Sequence, residues 1–247
     1  MSLPKLLWHP SPNFSKRSAR VDLLVLHDTE GSYAGSVSWF AQKVSNVSAH
    51  FVIKEDGSEV TQMVDIADKA WHACAFNSRS IGFEMAGIAA KGFSEPEWLA
   101  VAEILAFHLY HLQIPCKWAR GGVGPGFTSH YDLGAAGGGH RDPTTDPAKW
   151  AYLVSLVEAA YNRGNFPALW EREHQAGKCA MASPELIAKA PPTVLGPAAD
   201  PAAVVFGPAI AHGPVVPATT GPEGDWLKSL QTLVKTAEPK TTVMKCG

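Results

Sequence analysis

Two kinds of apolar pattern alternate along the chain: short dense runs and longer stretches at helical spacing. Val21-Asp22-Leu23-Leu24-Val25-Leu26 is a compact run whose brevity and β-branched content predict a buried strand. It ends on His27-Asp28-Thr29-Glu30-Gly31, and a polar cluster at the carboxyl end of a strand is where ligands bind in α/β proteins. Val37, Phe40, Ala41 and Val44 then recur at helical spacing within Gly35 to Val44. Ser48 to Ile53 and Glu59 to Val64 flank Asp56-Gly57, a strong hairpin signal. Lys69 to Ala73 is a short piece around Trp71 and His72. Ser80 to Ala86 predicts another strand, its apolar run interrupted by Glu84. A carboxylate in a buried strand is expensive to ionise without a partner. The alternation here is weak, so Glu84 reads as a functional carboxylate rather than one facing solvent.

Helical signals dominate the next part. Ser94-Glu95-Pro96-Glu97 is a capping box with proline in the first turn, opening a helix through Trp98, Leu105 and Leu112. His108 and His111 read as histidines on its surface. Gly121 to Gly126 is a loop, and Phe127-Thr128-Ser129 leads out of it. Asp146 and Pro147 fit the N-cap and first position of a helix over about Ala148 to Tyr161. Residues up to about Arg20 read as an irregular lead-in. Strands alternating with helices predict an α/β fold. Beyond Pro167 the pattern fades: nine of the nineteen prolines lie between Pro184 and Pro222, amid alanine and glycine, which predicts a loose extension. Asp225 to Thr236 fits one short amphipathic helix, too short to be a domain. The expected organisation is a domain over 1–166 and an extension over 167–247.

Between the two long helices lies Ser129-His130-Tyr131-Asp132-Leu133-Gly134-Ala135-Ala136-Gly137-Gly138-Gly139-His140-Arg141-Asp142-Pro143. Two histidines and two aspartates around a glycine-rich loop suggest a metal or acid–base site, or else a solvated loop capping its own turns. Composition narrows the choice. A net charge of -2 argues against a nucleic-acid surface, and no apolar run approaches a membrane span. MSLPKLLWHPSPNF lacks the pattern of a secretory signal, which predicts a protein at least initially cytoplasmic. Cys74, Cys116, Cys179 and Cys246 form no Cys-x-x-Cys pair, so thiolate zinc is not expected and free thiols are. The ten histidines carry more chemistry, as metal ligands or proton carriers.

Four segments in order form a specific set: Val25-Leu26-His27-Asp28-Thr29; Ser48 to Gly57; Ala70-Trp71-His72-Ala73 with Asn77 and Ser80 to Glu84; and His130-Tyr131-Asp132-Leu133 with His140-Arg141-Asp142-Pro143. Over about Val21 to Tyr161 the chain resembles the zinc-dependent N-acetylmuramoyl-L-alanine amidases, which include AmpD-like enzymes, phage endolysins and peptidoglycan-recognition proteins. The resemblance implies a central mixed β-sheet flanked by helices, a Zn²⁺ ion in a surface groove, and peptidoglycan or muropeptides as substrate. It implies His27, His130 and Asp142 as metal ligands. Asp146 is the alternative third ligand, with the worse upstream spacing and an N-cap role already. It implies Glu84 as general base, since Ala49 stands where some phage amidases carry a tyrosine. His140 takes the catalytic basic position, often a lysine in the family, and would stabilise the oxyanion. His50, Trp71, His72 and Asn77 would line the groove, although His50 and His72 could equally be core residues or lie behind the ligands.

The implied reaction is hydrolysis of the amide between N-acetylmuramic acid and L-alanine. Two rival readings remain. A metal-free peptidoglycan-binding module lacks the third ligand, whereas Asp142 and Glu84 are present here. A cysteine peptidase using Cys74 and His72 leaves the His130 to Asp142 cluster unexplained. Between a wall-degrading endolysin and a cytoplasmic recycling amidase, the proline- and alanine-rich extension favours the endolysin.

Overall fold

The computed structural model of the chain describes residues 3–166. The expected extension over 167–247, with its short terminal helix, lies outside the described residues. Among the described residues eight strands form: β1 (Lys5–Trp8), β2 (Phe14–Lys16), β3 (Leu23–Asp28), β4 (Phe51–Ile53), β5 (Glu59–Gln62), β6 (Asp68–Ala70), β7 (Ser80–Met85) and β8 (Gly126–Ser129). Six of them make one sheet in the order β1-β5-β4-β7-β3-β8. Only β4 and β5 pair antiparallel in it, through the hairpin at Asp56-Gly57, so the sheet is mixed as expected. β2 and β6 form a separate antiparallel ribbon. The helices are α1 (Tyr33–Phe40), α2 (Glu95–His111), α3 (His130–Leu133) and α4 (Pro147–Arg163). Among the described residues no helix is long and apolar enough to cross a membrane.

Helix starts follow the expected chemistry. The Ser94 side chain accepts from the Glu97 backbone N–H at the head of α2, and Asp146 accepts from Ala148 N–H at the head of α4. Both helices carry proline in the first turn, where no N–H is needed. The lead-in is not irregular: β1 adds to the sheet edge beside β5, and β2 pairs with β6. Strands of three or four residues have too little periodicity of their own, and here partners some fifty residues away make them. Arg17, just after β2, donates to the carbonyls of Ile66, Asp68, Asn77 and Ser78, and so ties the lead-in to the loops beside the groove.

The strands alternate strictly. Leu24 and Leu26, Phe51 and Ile53, Ile81, Phe83 and Met85 point to one face, under α2 and α4, in one apolar cluster with Trp98, Leu105, Trp150 and Leu153. Ser80, Gly82 and Glu84 take the other positions of β7, and every residue of that strand is buried. The weak alternation read for β7 is therefore a correction: it is a two-period strand buried on both sides. Small and polar residues at its second face disguised it. His108 is a second correction. It is fully buried, not on the helix surface, packed on Phe51 and Phe83 with its Nδ1 2.7 Å from the Ile104 carbonyl.

Candidate metal centre

β3 carries His27 to its carboxyl end, and parallel pairing sets His27 directly beside Glu84 of β7. β8 runs along the other side of β3, and α3 starts on His130 as soon as β8 ends. The Ser129 hydroxyl caps that turn by accepting from Asp132 N–H. Asp132 does not face the cluster: its Oδ2 accepts from Trp118 Nε1, Gly121 N–H and Thr128 Oγ1. The glycine-rich loop then doubles back, and Tyr131 N–H donates to the Asp142 carbonyl at 3.0 Å. Gly137 makes this return passable. A Cβ there would meet the Leu133 Cβ at 2.6 Å, while its carbonyl must stay within reach of His130 Nε2.

Three ligand atoms converge as a result. His27 Nδ1 and His130 Nδ1 are 2.9 Å apart, and Asp142 Oδ2 is 3.1 Å from the second and 3.4 Å from the first. Donors about 2.0–2.1 Å from a tetrahedral zinc would be about 3.3 Å from one another, so the three atoms are spaced as three corners of such a site. His130 Nε2 donates to the Gly137 carbonyl at 2.7 Å, which places the proton of the neutral ring on Nε2 and leaves a lone pair on Nδ1. Burial, and then His130, depress the His27 imidazole to about 4, so it is neutral near pH 7. Asp142 Oδ1 is buried without a hydrogen bond among the described residues. Lone pairs and a carboxylate gathered in a buried spot call for a cation. Among the described residues this is the cluster whose donor set fits one. Asp146 stands apart, exposed and committed to Ala148 N–H.

Glu84 is 8% exposed, and burial, followed by the charges of Asp142 and Asp28, pushes its carboxyl well above the usual range. His140 stacks on the His130 ring with centroids 4.3 Å apart and planes 14° apart. Its side chain is half exposed, and its Nδ1 lies 3.7 Å from Asp142 Oδ1. Burial, then His130, lowers its pKa. A groove of about 540 Å³ opens over these groups and includes Glu84, His140, Trp71, Asn77 and Trp39 in its walls.

The four residues expected to line the groove divide. Trp71 lines it and donates from Nε1 to Ser15 Oγ at 3.2 Å. Asn77 lines it too, but its Oδ1 already accepts from the N–H groups of His72 and Ala73. His50 is a correction: it is fully buried, accepts from Gly82 N–H at Nδ1, and has Arg17 against Nε2. His72 is a correction in part. Its ring edges the groove, but both nitrogens face protein atoms, His27 Nε2 and Ser80 Oγ. Cys74 also departs from the reading as a free thiol: it is disulfide-bonded and is no nucleophile.

Two features were missed. Asp28 lines the groove beside His27, and burial, with Asp142 and Glu30, pushes it up to about 7. Trp39, 47% exposed, forms an apolar wall with Val44 and Val47. A tryptophan off the buried stripe of α1 was the available signal.

Comparison with known proteins agrees with this layout. Residues 17–149 match the Amidase_2 family, described as N-acetylmuramoyl-L-alanine amidase. The chain is 43% identical over 86 residues to N-acetylmuramoyl-L-alanine amidase A of Achromobacter lyticus, a match covering 34% of this chain and 49% of that protein. It therefore spans about half the length of that curated relative. The fold matches the Staphylococcus aureus hydrolase AmiA, solved with its ligand, at a TM-score of 0.55 and 18% identity, covering 73% of this chain and 89% of that one. It also matches a mutant endolysin from Bacillus subtilis at a TM-score of 0.50 and 15% identity, covering 63% and 99%.

Proposed function

The chain belongs to the N-acetylmuramoyl-L-alanine amidase family, and on that premise we propose that it hydrolyses the amide joining N-acetylmuramic acid to L-alanine in peptidoglycan. The observation that carries the proposal is the meeting of two imidazole lone pairs and Asp142 beside Glu84, at the floor of one groove. His27, His130 and Asp142 would hold a zinc ion. Bound there, zinc supplies a water acidified towards about pH 7 and polarises the scissile carbonyl. Glu84, buried and next to His27, takes up a proton from the attacking water and returns one to the leaving amine of L-alanine. Burial raises its pKa, which favours holding the proton between the two transfers. His140, at the open side of His130, offers an N–H to the carbonyl oxygen as charge builds on it. Trp71 and Asn77 shape the groove beside these groups.

The presence of all three ligands together with Glu84 favours turnover over simple binding. Mass spectrometry of digested peptidoglycan tests the reading. Stem peptides with free L-alanine N-termini are expected, absent after thorough chelation and restored by zinc. Hydrolysis that survives chelation would overturn the metal mechanism, and cleavage at any other bond would overturn the assigned reaction. We read the extension over 167–247 as favouring an endolysin acting on polymeric wall. Faster release from intact sacculi than from soluble muropeptides is expected, and the reverse would point to recycling.

A further inference from the structure

We propose that His72 is a positioning residue for the metal: it selects which nitrogen of His27 is free to bind. The proposal rests on the metal-dependent reading above. Four groups form a line that ends on a carbonyl. Ser80 Oγ lies 2.8 Å from the Phe76 carbonyl, which can only accept, so the single hydroxyl proton of Ser80 is spent there. Ser80 Oγ is also 3.1 Å from His72 Nε2, and with its proton committed it must accept, so His72 carries its proton on Nε2. That leaves a lone pair on His72 Nδ1, 2.9 Å from His27 Nε2. His27 therefore donates from Nε2, and its own lone pair falls on Nδ1, the atom that faces His130 and Asp142. The Phe76 carbonyl, three groups away, sets the tautomer of the ligand.

The fold keeps this line in register. Asn77 Oδ1 accepts from the backbone N–H of His72 and holds the residue in place. Beneath the ring lies Gly82 of β7. A Cβ built there would sit 2.6 Å from His72 Nδ1 and 2.7 Å from Cγ, so any other residue would push the ring off the strand. The two rings lie with centroids 5.0 Å apart and planes at 80°, with His27 Nε2 2.9 Å from His72 Nδ1. With both nitrogens engaged, His72 has no ring nitrogen left for substrate.

Zinc affinity of the metal-free protein, measured by competition with a chromophoric chelator, tests this alongside melting of the same metal-free samples. His72→Leu removes the acceptor and is expected to weaken zinc binding by about 10–100-fold. His72→Asn restores an acceptor oxygen at about the place of Nδ1 and is expected to recover most of that loss. Gly82→Ala leaves His72 in the chain but displaces its ring, and is expected to weaken zinc as His72→Leu does. Wild-type affinity in His72→Leu overturns the proposal. So does a His72→Asn variant that melts normally yet binds zinc as poorly as His72→Leu. The amidase reading is tested separately, since its failure would show in the wild-type protein as absent zinc binding or absent cleavage.

Discussion

The two faces of β7 and β3 are built from alternate residues of the same strands and do opposite work. On one face Leu24, Leu26, Ile81, Phe83 and Met85 pack under α2 and α4, where apolar burial is the stabilising force. On the other, His27, Glu84, Ser80 and Gly82 carry the site, backed by only small apolar clusters around Leu23 and Val25 and around Val52 and Met63. A pleated strand changes face at every residue, so Phe83 and Glu84 are neighbours in sequence and serve the core and the chemistry respectively. The second face is polar although it is buried. His27 and His130 each have a partner for the nitrogen turned away from the cluster, His72 and the Gly137 carbonyl, and the nitrogens left over face the metal position.

The largest effect expected is on the polar face. Glu84→Gln should retain zinc and lose about 10²–10⁴-fold in turnover. It should not destabilise the fold, because it removes a buried carboxylate that has no cationic partner among the described residues. Steady-state rates, zinc content and melting on one sample check all three. Phe83→Ala, one residue away, should do the opposite, costing about 3–5 kcal/mol of stability by denaturant titration while the folded fraction keeps its zinc affinity. If both substitutions hit stability and turnover alike, the division between faces is wrong.

Asp146→Ala should cost about 1 kcal/mol, the value of an N-cap, with zinc content unchanged. Zinc lost in Asp146→Ala but kept in Asp142→Ala would reverse the ligand assignment. The smallest effect concerns Glu97, buried at the start of α2. Burial, then the charge of Glu55, raises it to about 8. Its folded pKa is therefore above the unfolded value of about 4.3, and the folded state holds the extra proton. This contribution is complete below about pH 4.3 and is lost as pH rises towards 8. Glu97→Gln, which keeps a side chain able to complete the capping box, should flatten that part of the stability–pH curve. Melts at pH 5, 6, 7 and 8 would show it, and an unchanged slope would remove Glu97 from the account.

Much of this was legible in the chain. The capping residues Ser94 and Asp146, the Asp56-Gly57 hairpin and the run feeding His27 are local signals, and each names its element through chemistry within a few residues. The motif segments also named the groups that converge, His27, Glu84, His130 and Asp142. Roles that depend on orientation were not legible. His50 and His72 look alike in sequence, yet one is locked between Gly82 and Arg17 and the other lies against His27. β1 and β2 were invisible because their partners are some fifty residues distant.

By itself the sequence determined which residue types were available and which elements could form, because caps, turns and periodicity act over a few residues. Only the tertiary structure decided which nitrogen of His27 and of His130 faces the cluster. It also decided that Asp142 rather than Asp146 completes the cluster, and that Glu84 lies on a covered face. Those outcomes depend on strand register and on a return loop, which bring together groups more than a hundred residues apart to within 2.9 Å. No pattern along the chain encodes a distance across a sheet.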